Sequence, residues 1–395
     1  ERDILARMAF RPIVRDPAPM DEALFDPDPM GLRERLLSVP LESRFSYDAS
    51  QNVLFINFER MRIASARDVA RIRERYRVAA VKSDAFDAYT VADAAGELTE
   101  DWAKKLGLRP GSPVAVGAFD AHLGGVGSGI RPGTLVKIIG TSTCDMMVAP
   151  LAEKLPDIPG LCGIVPESIL PGYYGLEAGQ SAVGDIFNWF VRCSGQSHET
   201  LTRGAAKLQP GESGLLGLDW HNGNRTILTD QRLTGLLVGL TLHTKPAEIY
   251  RALVEATAFG ARRIVERFEE YGVKADRVVN CGGISVKNTL VMQIYADVLN
   301  RPMEISRSAQ TCALGAAMAG AVVGGAHPTF AEAAAAMTGT LKKKFLPNPT
   351  NVARYDRLYR QYRRLHDIHG TTGHAENLHD LMKELLALRD EVRHG

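Results

Sequence analysis

The chain has 395 residues, 45% hydrophobic and 24% charged, enough to bury the cores of two or three domains. Its formal net charge of +1 gives no electrostatic basis for binding nucleic acid or an acidic membrane. No apolar run approaches the ~20 residues that span a bilayer, no secretory leader opens the chain, and five scattered cysteines without a C-x-x-C pair read as reduced core residues of a cytoplasmic protein.

Residues 1–82 differ in texture from the rest of the chain. The chain begins at Glu1 without a Met, which reads as a fragment or a fusion. ERDILARMAF predicts a short amphipathic helix, and RPIVRDPAPMDEALFDPDPMG a connector whose prolines and aspartates block regular structure. NVLFINF predicts a strand. SARDVARIRERYR predicts a helix opened by Ser65, its arginines interleaved with Asp68 and Glu74 as a solvated face rather than an RNA patch.

From Ser83 onward the pattern is α/β. A helix is predicted from Thr99 to Leu106, capped by Thr99 and stopped by Gly107. VAVGAF reads as a strand buried on both faces that ends at Asp120, where open α/β sheets keep their ligand crevices. Asp120 is therefore the first candidate for chemistry, against the plainer role of turn former. The glycines from Gly124 to Gly129 predict a connection, since their spacing does not match a dinucleotide fingerprint. TLVKII and CDMMV read as strands turning on Gly140-Thr141-Ser142-Thr143, whose backbone N–H groups could wrap a phosphate or simply close a hairpin. A carboxylate and a phosphate cradle in one stretch point to phosphoryl transfer.

Further on, a strand ends near Glu177, and after a turn at Gly179 a helix runs from about Ser181 to Cys193. This sets Glu177 beside a helix N-terminus, as part of an anion or sugar site or as a partner of the helix dipole. A long helix from Pro246 to Tyr271 is thinned by Ala256, Ala258, Gly260 and Ala261 for close packing. In DRVVNCGGISVKNTLVMQIYADVL, the Gly282-Gly283 turn lets a flat ligand lie on the backbone and Asn288 offers a donor and an acceptor; the plain alternative is a tight turn with a surface Asn. TCALGAAMAGAVVGG reads as a core helix. Tyr355, Leu358 and Tyr362 share one face of a helix near the end of the chain, where His366, His369, His374 and His379 read as solvent-facing and complete no metal set.

Two resemblances organise these readings. ERDILARMAFRPIV, MDEALF, PMGL and NVLFINFE together resemble the C-terminal tail of bacterial acyl-CoA transferases of the propionate or acetate type, which implies that the transferase's catalytic glutamate lies upstream, outside this chain. GAFDAH, IIGTSTCD, GLEAGQSAVGDIFNWF, WHNGNRT and CGGISVKNTLVMQ, with the final LMKELLALRDEV helix, resemble the C-terminal half of FGGY carbohydrate kinases of the ribulokinase type, over about residues 83–395. The second resemblance implies an actin-like, Hsp70-like ATPase domain over 113–395, a ribonuclease H-like mixed sheet flanked by helices. It is preceded by a remnant of the kinase N-terminal domain at 83–112 and a small α+β segment at 1–82. It implies ATP and Mg²⁺ as cofactors and L-ribulose as substrate, with no nucleic-acid or membrane partner and with homo-oligomerisation left open.

Residue by residue, the resemblance implies Asp120 as general base and Gly140 and Thr141 in the phosphate turn. It places Gly184 and Asn188 near ribose and phosphates, Gly283 and Asn288 in the adenosine pocket, and Glu177 on the sugar. A kinase N-terminal domain carrying most sugar contacts is replaced here by the transferase-like tail, so the expectation is one wall of the cleft and a loss of most catalysis. The rival expectations are a recombined protein that binds nucleotide without transfer and an acyl-CoA transferase fragment.

Overall fold

The computed structural model describes residues 89–153 and 155–394, together with three short strands earlier in the chain. Those strands, β1 (Phe45–Asp48), β2 (Val53–Ile56) and β3 (Ala80–Ser83), form a sheet in that order, β1 antiparallel and β3 parallel to β2. They belong to a unit spanning Arg11–Tyr89, and β2 lies within the predicted NVLFINF strand. The helices predicted over ERDILARMAF and SARDVARIRERYR, and the connector between them, lie outside the described residues.

The elements from Thr90 onward form a second unit. Its first part pairs β4 (Ala94–Glu97) with β5 (Pro113–Ala115) around α1 (Glu100–Leu106). Gly107 ends α1 in the left-handed region at φ 69°, as the sequence predicts. Thr99 occupies the N-cap position, but its hydroxyl makes no cap bond.

Two expectations around Asp120 are corrected. VAVGAF is no doubly buried strand, because β5 ends at Ala115 and, among the described residues, has only β4 beside it. Asp120 is instead the first residue of helix α2 (Asp120–Gly127), so the glycine-rich stretch is helical rather than a connection. Glycine is a poor helix former, and packing overrides that preference here. A Cβ on Gly127 would lie 2.0 Å from the Thr311 carbonyl oxygen, and one on Gly315 would lie 1.9 Å from that of Leu123. Both glycines let α2 and α8 (Thr311–Val323) meet backbone to backbone, so α2 is the neighbour that the small-residue helix requires.

The second unit is built on a six-stranded mixed sheet in the order β13-β12-β6-β7-β9-β8. Its strands are β6 (Thr134–Ile139), β7 (Thr143–Pro150), β8 (Gly163–Pro166), β9 (Tyr173–Ala178), β12 (Arg277–Cys281) and β13 (Met303–Ile305). β13, β12 and β6 run parallel; β7, β9 and β8 alternate. Alternation along the strands feeds two cores. Val136, Met146 and Val148 pack with Val126 of α2 and Met318 of α8. Leu135, Ile139 and Met147 face the larger core.

That larger core is covered by α3 (Gly184–Ser194), α4 (His198–Ala205), the β10–β11 pair (Leu216–Leu218, Leu236–Val238) and α5 (Pro246–Glu270). α7 (Thr289–Leu299), α10 (Pro349–Gly370) and α11 (Leu381–His394) complete it, while α9 (Phe330–Met337) packs on the smaller core. α5 is thinned as predicted: a Cβ on Gly260 would lie 2.3 Å from Asp219 Oδ2. Among the predicted surface histidines His366 is a correction, since it is 2% exposed and meets the Trp220 ring edge-on at 5.3 Å. All five cysteines are free, yet Cys162 and Cys193 are exposed and only Cys281 is fully buried. Among the described residues no helix is long and apolar enough to cross a membrane.

Candidate active site

Three turns meet where β6 ends. The first is the 140–143 hairpin, closed by the antiparallel pairing of Ile139 with Thr143. The second is the start of α3, where Val183 and Asp185 N–H groups donate to the Thr141 carbonyl at 2.8 and 3.2 Å, and Gly184 N–H to that of Gly140 at 3.1 Å. A Cβ on Gly184 would lie 2.5 Å from Gly140 O and 3.0 Å from Ile284 Cδ1, so only glycine permits this approach. The third is Gly282-Gly283, which opens α6 (Gly283–Lys287) with Gly282 at φ 93° and its missing Cβ 2.4 Å from Ile139 O. Gly140, Thr141, Gly184 and Gly283 are thus gathered at one place.

The hairpin N–H groups are unequally committed. That of Gly140 donates to Ser142 O at 3.0 Å, whereas those of Thr141 and Ser142 donate to no group among the described residues. A Cβ on Gly283 would meet nothing within 4 Å among the described residues, so its face is open toward them. Asn288 joins α6 to α7, where its Oδ1 accepts the Val291 N–H at 3.2 Å; the capping role takes the acceptor and leaves the amide N–H₂ for a ligand. Asn188, one turn along α3, is exposed, and its Oδ1 lies 2.8 Å from His198 Nε2, which leaves its amide N–H₂ uncommitted among the described residues.

Asp120 and Glu177 lie on the α2 side of the sheet. Asp120 is exposed at the first turn of α2, where Oδ1 accepts the Ala121 N–H at 2.7 Å. Glu177 meets the first turn of α2. It sits within β9, across from Met146 and Gly163, and Oε2 lies 3.2 Å from His122 Nε2 of α2. The hydrogen bond from His122 holds the Glu177 carboxyl below the usual range, and the nearby charges of His122 and Arg225 act in the same direction against partial burial. Asp120 and the Glu177 partner His122 are the first and third residues of α2.

Sequence reading passes over His122, Arg225 and a buried ion pair. Arg225, in the WHNGNRT loop, donates through Nη2 to the Thr143 carbonyl at 2.8 Å, tying the hairpin to the neighbourhood of Glu177. Beneath the hairpin, Lys137 Nζ reaches both oxygens of Asp145 at 2.8 Å, the two residues standing opposite each other on β6 and β7 and both 1% exposed or less. Gln180 extends this network, donating through Nε2 to Asp219 and through its backbone N–H to Thr143 Oγ1. Only the polar residues inside otherwise apolar strands, Lys137 and Asp145, signal this arrangement in the sequence.

Residues 135–323 match the model described as the FGGY family of carbohydrate kinases, C-terminal domain. The match takes in just under half of the chain. It is 48% identical over 317 residues to a ribulokinase of Anoxybacillus flavithermus, covering 76% of this chain and 55% of that protein. It is 47% identical over 322 residues to the ribulokinase of Halalkalibacterium halodurans, covering 77% and 56%. The chain therefore spans just over half the length of these curated relatives. Among solved structures, the chain is similar to xylulose kinase from Rhodospirillum rubrum, with a TM-score of 0.63 at 26% identity, covering 81% of this chain and 61% of that one. Plasmodium falciparum glycerol kinase with ADP, at 15% identity and a TM-score of 0.61, shares the fold, covering 75% and 58%. The mixed sheet flanked by helices is thus the actin-like ATPase fold.

Proposed function

We propose that this chain phosphorylates L-ribulose with ATP, with Asp120 as general base. The observation that carries the reading is the meeting of the hairpin, the α3 start and the Gly282-Gly283 turn at the end of β6, in a chain 44–48% identical to several ribulokinases over about three quarters of its length. ATP with Mg²⁺ supplies, when bound, the phosphoryl group and its counter-charge. The chain fits that group at the uncommitted Thr141 and Ser142 N–H groups and along the open face of Gly283. Gly140 and Thr141 hold phosphates, Gly184 keeps the turn in place, and Gly283 with the Asn288 amide lies along the adenosine. Asn188 stands toward ribose and phosphates. No residue is assigned to Mg²⁺. Asp120 accepts the proton of the attacking hydroxyl, and Glu177 orients the sugar by accepting from its hydroxyls.

A coupled assay of ADP release tests this. Release should depend on L-ribulose and fall by about 10²–10⁴-fold in Asp120→Asn, with nucleotide binding retained. Release indifferent to the sugar, or to Asp120→Asn, would overturn the reading. A second reading, nucleotide binding without transfer, is favoured by the exposure of Asp120, whose Oδ1 meets only the next residue's N–H among the described residues; it predicts ATP binding and no ribulose-dependent release. Neither reading uses residues 1–82, whose likeness to an acyl-CoA transferase tail is a separate proposal, tested by CoA exchange.

A further inference from the structure

His122 has two ring-nitrogen contacts of different kinds. Nδ1 lies 3.0 Å from the carbonyl oxygen of Ser168, and Nε2 lies 3.2 Å from Glu177 Oε2. A carbonyl oxygen only accepts, so Nδ1 must carry a proton. A neutral ring protonated at Nδ1 presents a bare lone pair at Nε2, which would face the lone pairs of a carboxylate. The contact is attractive only when one more proton sits between Nε2 and Oε2.

We infer that His122 is a positioning residue, an imidazolium strung between the Ser168 carbonyl and the Glu177 carboxylate, that holds Glu177 ionised and fixed for the sugar. The surroundings favour placing the proton on the ring. His122 is 7% exposed, and Phe119 meets its ring edge-on at 5.3 Å. The charged and titratable groups that act on Glu177 besides the ring are Arg225 from the 221–230 loop and Cys144 on β7, while Asp120 lies two residues before His122 on α2. Arg225 stabilises a Glu177 anion, and the Cys144 thiol is pushed up by burial and by Glu177 and Asp145, so it stays neutral and adds no competing charge. Oε2 is committed to the ring, and the Cys144 thiol is a second hydrogen-bond partner of the Glu177 carboxyl. By holding the Glu177 carboxylate the ring sets the direction from which that side chain can grip a polyol.

The inference rests on the sugar-kinase reading for its consequence but not for its geometry, and the test separates the two. The full chain, labelled with ¹⁵N-histidine, contains ten histidines, and the His122→Gln spectrum identifies the His122 signals. Both ring nitrogens of His122 should show the shift of protonated nitrogen at neutral pH; an unprotonated Nε2 would overturn the inference whether or not the chain is a kinase. In the coupled assay, His122→Ala should raise KM for L-ribulose about 10-fold or more, as loss of a hydrogen bond to a charged group does, with KM for ATP unchanged. His122→Gln, which keeps one donor, should recover part of that loss. An unchanged sugar KM in His122→Ala would also overturn it. Absence of any ribulose-dependent turnover in the wild type would instead sink the functional reading and leave the ¹⁵N result to decide the pairing.

Discussion

Single residues show how much the local sequence conceals. Asp120 was legible as the acidic residue of its motif, but its seat at a helix start was not, because the adjoining glycines argue for a loop unless α8 is known to lie against them. Glu177 was legible as a polar residue on a strand, yet its partner is 55 positions away, beyond any local signal. Lys137 and Asp145 give a testable case. Each is buried on an apolar sheet and satisfied chiefly by the other, so Lys137→Met should cost about 3–5 kcal/mol by stranding Asp145. Combining it with Asp145→Leu should return most of that loss, and urea unfolding of the three variants measures it. A double variant no more stable than Lys137→Met would show that the pair adds more than mutual neutralisation.

Elements were more legible than their neighbours. The hairpin strands, the long α5 helix with Pro246 at its first turn and Gly272 after it, and the last two amphipathic helices all follow from periodicity and punctuation. Which helix packs on which does not follow, because a small-residue stripe announces closeness without naming a partner. α8 separates the two uses of glycine. Gly315→Ala puts a Cβ into the Leu123 backbone and should destabilise by about 1–3 kcal/mol or more while displacing α2. Gly320→Ala on the same helix meets nothing within 4 Å and should stabilise by about 0.5–1 kcal/mol. Thermal unfolding of the two variants checks the contrast; equal effects would refute the backbone-contact account.

At the scale of the whole molecule, the fold class was read from motifs rather than from strand order, since nothing in the chain states that β12 and β13 lie beyond β6 on one edge. That edge shapes the acid stability. Glu304 of β13 is held at about 2 by its hydrogen bonds to Arg277 of β12, helped by Thr340 and by Lys344. A carboxyl lowered in the folded state stabilises fully above its unfolded value of 4.5, and that contribution fades as pH falls toward about 2. Glu304→Gln should therefore be less stable than the wild type by about 1–2 kcal/mol at neutral pH, with the gap closing through this window in pH-dependent urea unfolding. A gap that stays constant down to the acid limit would rule out the ion pair as its source.

The docking of α3 on the hairpin carries one more consequence. The carbonyl of Gly140 and the N–H of Thr141 belong to one rigid peptide plane, and so do the carbonyl of Thr141 and the N–H of Ser142. Within a trans plane the two groups point in opposite directions. By holding both carbonyls from behind, the α3 amides fix the outward aim of the two N–H vectors in front. The direction in which this turn can greet an anion is therefore set by a helix that begins more than 40 residues later in the chain, and Gly184 is the point where that aim is calibrated.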